Sequence, residues 1–125
     1  MSKRVVSVGT PQGPYSPGIL AGGFCFVAGQ GGLDPETGRL VEGGIGPETR
    51  QTLANVRRIL EAAGYGLADV VQVNCFLADI AEWESMNEAY AESFADAPPA
   101  RTSFAVGGLP RGIRIMVDAI AYRGD

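Results

Sequence analysis

Glycine is crowded into one end of the chain. Twelve of its 18 glycines fall before residue 47, and this constrains the fold more than any other feature. A glycine inside a helix costs about 0.5–1 kcal/mol relative to alanine, while in turns it opens backbone angles closed to other residues. The first third is therefore expected as short strands, tight turns and close backbone approaches. Val5-Val6 begins a strand, and Gly13-Pro14-Tyr15-Ser16-Pro17-Gly18 is a loop whose prolines fix φ. Ile19 to Ala21 and Phe24 to Ala28 flank Gly22-Gly23, a two-residue hairpin connection. Asp34-Pro35-Glu36-Thr37-Gly38 reads as an exposed turn.

After Gly46-Pro47 the period changes. Leu53, Val56, Ile59, Leu60 and Ala63 recur at helical spacing, with Gly64 as the C-terminal stop. Val70 to Leu77 reads as a strand with Val71, Val73, Cys75 and Leu77 on one face. Asp79-Ile80-Ala81-Glu82 resembles a capping box opening a second helix, whose apolar stripe is Trp83, Met86, Tyr90 and Phe94. Pro98-Pro99 ends it, and Thr102 to Val106 and Ile113 to Ala121 supply two last strands. The order β-β-β-α-β-α-β-β over residues 1–125 predicts one α+β domain with two helices on one face of a sheet. Ile115, Val117, Ala119 and Ala121 fall on one side of the final strand, and Met116, Asp118 and Ile120 on the other. Both sides carry apolar residues, so the side away from the helices is expected to be covered by another subunit.

Composition excludes much conventional chemistry. With no histidine there is no Ser-His-Asp or Cys-His machinery and no histidine-bearing zinc site. Cys25 and Cys75 stand too far apart in sequence for a C-x-x-C motif, and each sits in an apolar run that reads as a buried thiol. A single lysine, Lys3, excludes a Walker A loop and leaves Schiff-base chemistry without a plausible nucleophile. The net charge of −4 argues against nucleic acid, because phosphate neutralisation needs a basic face. No apolar run is long enough to cross a bilayer, and the first residues carry no secretory h-region, so a cytoplasmic location is expected.

Few segments carry chemistry by themselves. Gly44-Ile45-Gly46-Pro47 leads into a helix but lacks the third glycine of a dinucleotide fingerprint, so it reads as structural. Gly29-Gln30-Gly31-Gly32 follows a strand and is either a turn or bulge, or a backbone amide offered to an anion. Arg101 follows a rigid diproline at the start of a strand, where its fork could grip a carboxylate. Composition alone favours the alternative, a surface arginine paired with one of fourteen acidic residues. Tyr15 is similarly open between a cleft residue and an ordinary half-buried aromatic.

The segments Gly13-Pro14-Tyr15-Ser16, Val27-Ala28-Gly29-Gln30, Asp34 to Gly38, Gln51-Thr52 through Asn55 to Gly64, Asn87-Glu88-Ala89-Tyr90, Pro99-Ala100-Arg101-Thr102 and Leu109-Pro110 occur in this order. Together they resemble the RidA (YjgF-type) family of reactive-intermediate imine deaminases over nearly the whole chain. The resemblance implies a chorismate-mutase-like fold and a homotrimer with intersubunit clefts. It implies hydrolysis of small 2-imino acids to 2-keto acids and ammonia, as in 2-iminobutanoate/2-iminopropanoate deaminases, with neither metal nor cofactor. By the same resemblance, Arg101 binds the substrate carboxylate, and Tyr15, Asn87 and the backbone amides of Gly29 and Ser103 line the cleft.

One position departs from the family pattern. Where well-studied deaminases carry a water-positioning glutamate on the last strand, this chain has Met116. Asp118 lies on the same face but about 6.5 Å further along. Two readings follow: a deaminase with altered substrate range, or a non-catalytic binder or sensor of small carboxylates. An RNA-directed activity, sometimes attributed to the family, is disfavoured by the acidic balance and the missing histidine.

Overall fold

The computed structural model describes residues 2–124. The strands are β1 (Arg4–Val6), β2 (Gly18–Ala21), β3 (Phe24–Gln30), β4 (Val70–Leu77), β5 (Ala100–Ala105) and β6 (Ile115–Tyr122), and the helices are α1 (Ile45–Ala62) and α2 (Trp83–Ser93). One six-stranded sheet has the order β1-β2-β3-β6-β4-β5. All neighbours are antiparallel except β4 and β5, which run parallel because α2 carries the chain back across the sheet. The expected element order and the two-helix layer are observed.

Local chemistry accounts for the boundaries. Gly22 and Gly23 take φ of 56° and 90°, the doubly left-handed geometry of a tight hairpin, between paired residues Ala21 and Phe24. Gly64, at φ 85°, stops α1: its N–H donates to Glu61 O at 3.0 Å, and the Tyr65 N–H donates to Leu60 O at 2.8 Å. The turn at Asp34 forms as expected, with Asp34 Oδ1 accepting from the Glu36 N–H at 2.8 Å.

The core lies between the sheet and the helices. Ile115, Val117, Ala119 and Ala121 of β6 are buried there with Leu53, Val56, Ile59 and Leu60 of α1 and Met86 of α2. Both thiols are buried and free. The other face carries Phe24 and Phe26 of β3, Tyr122 of β6 and Phe104 of β5, all exposed in the single chain. Phe24 packs on Tyr122 with ring centroids 4.8 Å apart, and Phe76 meets Phe104 edge-on at 5.5 Å. These rings leave an apolar patch on the sheet face away from the helices.

Four expectations are corrected. Val71 does not face the core: the β4–β6 register shifts between Val70 and Gln72, so Val70 is buried while Val71 is 46% exposed. Asp79 caps a 3-10 turn over Ile80–Glu82, accepting from the Ala81 N–H at 2.9 Å, and α2 starts only at Trp83. Trp83 is not part of the core stripe; it is 39% exposed, whereas Met86, Tyr90 and Phe94 are buried. The last strand also runs from Ile115 to Tyr122, shorter at its start than the apolar pattern suggests.

A buried acid in the first turn of α1 carries no sequence signal. Glu48 is 1% exposed. Its Oε1 accepts from the Arg114 N–H at 2.8 Å, and its Oε2 pairs with Arg114 Nε at 3.2 Å. Arg114 also reaches Glu82 Oε2 at 3.1 Å. Burial raises the Glu48 carboxyl above its usual range, with Arg114 pulling it back down. This network ties α1, the segment before β6 and the approach to α2 into one frame.

Candidate functional site

The cleft residues expected from sequence fall into two groups on opposite faces of the sheet. The first group surrounds Arg101. Strand β5 pairs with β4 so that Arg101 stands beside Val73 and Ser103 beside Cys75, which turns both side chains toward the helices. The Arg101 guanidinium carbon lies 4.6 Å from the Tyr90 ring centroid and 5.9 Å from that of Trp83. A weak contact runs from Nη1 to Met86 Sδ at 3.9 Å. Among the described residues Arg101 makes no ion pair. The surface-pair alternative is therefore set aside.

Two polar groups of α2 are also unspent. Asn87 Oδ1 and the Tyr90 hydroxyl are buried without a hydrogen-bond partner among the described residues. Desolvation, with a smaller push from Cys75, raises the Tyr90 hydroxyl to about 12, so it is a proton-bearing donor across the physiological range. Trp83 Nε1 donates to Ser103 Oγ at 2.8 Å, leaving the hydroxyl hydrogen free to point elsewhere. Trp83 is thus a wall of this group that sequence reasoning missed. Its helical spacing matched the buried stripe, and only the late start of α2 turns it outward. A cation stacked on aromatic rings, with no acid in salt-bridge reach among the described residues, keeps most of its guanidinium donors unpaired.

The second group gathers at the open end of β3. The β3–β6 register shifts between Val27 and Gln30, so Gly29 lies in a bulge. Gly29, Tyr15, Met116 and Ile113 line a cavity of about 620 Å³. Tyr15 is 49% exposed, held by the loop in which its N–H donates to Gly13 O at 2.8 Å. Asn55 of α1 pins the cavity wall, its Nδ2 donating to Gly31 O and Leu33 O at 2.9 Å each. Met116 lies on the face of β6 away from the helices, and Asp118 shares that face, accepting from Asn74 Nδ2 at 2.9 Å.

Within one chain, then, Trp83 links Arg101 and Ser103, with Asn87 one helical turn further along α2, while Tyr15, Gly29 and Met116 line one cavity. The sheet separates the two groups. Among the described residues no cluster of ligating side chains fit for a metal occurs, and no helix is long and apolar enough to cross a membrane.

Comparison with known proteins matches the extent of these features. Residues 7–123 match the family described as endoribonuclease L-PSP. The chain is 50% identical over 113 residues to a RutC family protein of Pyrococcus horikoshii, spanning 90% of each. It is 39% identical over 125 residues to 2-iminobutanoate/2-iminopropanoate deaminase of Homo sapiens, spanning 98% of this chain and 91% of that one. The crystal structure of RidA from an Antarctic Psychrobacter species has a TM-score of 0.88 at 32% identity, covering 98% of this chain and 99% of the other. With the fold and nearly the full length of the sequence in agreement, the chain belongs to the RidA (YjgF-type) family.

Proposed function

We propose that this protein hydrolyses small 2-imino acids to 2-keto acids and ammonia at clefts formed between subunits of a homotrimer. The observation that carries this reading is the unpaired Arg101 guanidinium, stacked on Tyr90, whose hydroxyl is buried without a partner among the described residues. The α-carboxylate is the one anionic group common to such substrates, and a planar fork receives it in two parallel bonds. Tyr15, Gly29 and Met116 lie on the other face, so a complete cleft needs the Arg101 group of one subunit to meet the Met116 group of the next. The exposed aromatic face supplies the surface for that contact.

The chemistry needs little from the protein. Water adds to the carbon of the protonated imine, its proton passes to the departing nitrogen, and the carbinolamine collapses to the ketone as the C–N bond breaks. Ammonia leaves, and no electrons are exchanged. Arg101 holds the carboxylate and fixes which face of the imine meets water; Ser103 and Tyr15 are placed to donate to the substrate's polar atoms. No carboxylate lines the Met116 cavity, so general-base assistance, typically about 10²–10⁴-fold, is the missing contribution.

That absence favours a second reading, a binder of small keto or imino acids without catalysis. One experiment separates the two. 2-Iminopropanoate and 2-iminobutanoate are generated in situ by a pyridoxal-phosphate enzyme, and keto-acid formation is followed with and without this protein. Acceleration above the spontaneous rate supports the deaminase; binding of the keto acids without acceleration supports the binder. Failure of both removes the assignment.

A further inference from the structure

The Met116 cavity is charged in one sign only. Among the described residues that line it, the single charged side chain is Arg111. Arg111 stands at φ 60° and ψ 22°, a left-handed conformation costly for a residue with a side chain. Its guanidinium is tied to two loops: Nη1 donates to Gln12 Oε1 at 2.6 Å and Nη2 to Gly38 O at 3.1 Å. Both acceptors are neutral, and no ion pair opposes the charge among the described residues. A guanidinium has five N–H donors, so most of this one's capacity is unspent.

An unopposed cation on strained backbone is unexpected for mere surface decoration in a chain of net charge −4. Loop pinning alone needs no charge, since a neutral donor reaches Gln12 and Gly38 O as well. Arg111 is itself exposed, and it shares the cavity lining with Met116 and Ile113, which offer no counter-charge, so an anion entering the cavity meets one cation and no lining acid.

We propose that the preferred substrates are 2-imino dicarboxylates, such as those derived from acidic amino acids. Arg101 takes the α-carboxylate and Arg111 takes the side-chain carboxylate. This inference rests on the preceding reading, in which the Arg101 group and the Met116 cavity face each other across a subunit boundary. Arg111 is then the residue that sets substrate class, and the hydrolytic step is unchanged.

Calorimetric titration of the intact protein with stable product analogues tests it. 2-Oxoglutarate and oxaloacetate are expected to bind about 10-fold more tightly than 2-oxobutanoate and pyruvate, the worth of one charge-assisted bond. In Arg111→Gln that margin should fall to about two-fold or less, and in Arg111→Lys most of it should remain, because charge persists without the fork. Should Arg111→Gln fail to fold, the wild-type margin still has to shrink as salt rises from about 0.02 M to 0.5 M. Equal affinity for both classes, with the monocarboxylates binding well, overturns this inference and leaves the deaminase reading standing. A margin that survives Arg111→Gln also overturns it. Absence of all keto-acid binding removes the Arg101 reading and this one together.

Discussion

Gly29 and Met116 occupy one another's space. A Cβ built on Gly29 would stand 2.7 Å from Met116 Sδ and 3.0 Å from its Cγ, closer than such contacts occur. The bulge in β3 therefore has its glycine not for its φ but because the thioether of β6 lies against its Cα. Gly29→Ala should push the flexible Met116 side chain further into the cavity and destabilise the protein by up to about 1 kcal/mol, the low end of overpacking costs. Met116→Ala in the same chain should recover a good part of that loss. Urea unfolding of the two single variants and the double variant measures the coupling; simple additivity would show that the two residues do not compete for space.

Assembly is the next point of test. With Phe24, Phe26, Phe104 and Tyr122 exposed on the face away from the helices, light scattering should return about three times the 13.1 kDa chain mass. Phe26→Asp, which puts a charge in the middle of that face, should shift the protein toward monomer and abolish keto-acid binding with it. A wild type that is monomeric at micromolar concentration would separate the two half-sites permanently.

Arg101 should be intolerant of conservative change. Arg101→Lys is expected to lose keto-acid affinity nearly as badly as Arg101→Ala, by roughly 1.5–3 kcal/mol, since an ammonium cannot make two coplanar bonds. Calorimetry against 2-oxobutanoate reads the loss directly. Unchanged affinity in Arg101→Ala would place the carboxylate elsewhere.

Met116→Glu restores an acid to the cavity wall. If the position handles water, the variant should act on 2-iminopropanoate up to about 10²-fold faster than a slow wild type. The size of the cavity leaves the side chain room to be accommodated. Asp118→Asn should cost little activity, because its carboxylate is engaged with Asn74 two residues along. A large loss in Asp118→Asn would instead identify Asp118 as the group that holds the water.

Tyr90 gives a pH signature. Its hydroxyl is raised from 10.0 to about 12, chiefly by desolvation, so the folded state favours the neutral phenol. The stability this contributes is complete below pH 10 and is lost as pH rises through about 12. The difference in unfolding free energy between wild type and Tyr90→Phe should therefore move against the wild type across that window. A difference that stays flat would mean that the hydroxyl finds water or a partner when ionised.

The element order, the hairpin at Gly22-Gly23, the stop at Gly64 and the buried stripe of β6 were all legible in the sequence. Each rests on a local rule: the φ that only glycine takes easily, or the period with which apolar side chains recur on one face. The residues of the two proposed half-sites were named through the resemblance carried by short motifs. Their arrangement was not. Whether Arg101 has an acid beside it depends on which strand neighbours β5 and where α2 begins, and both are set by packing between segments remote in sequence. The same holds for Trp83, turned outward by a 3-10 turn, for Val71, expelled by a one-residue shift in register, and for Glu48, whose burial is tolerable only because Arg114, 66 positions away, arrives beside it. Local propensity acts over a few residues, whereas charge pairing, register and burial are decided by what the folded sheet brings alongside; that is why the strands could be read from the sequence and the separation of Arg101 from Met116 could not.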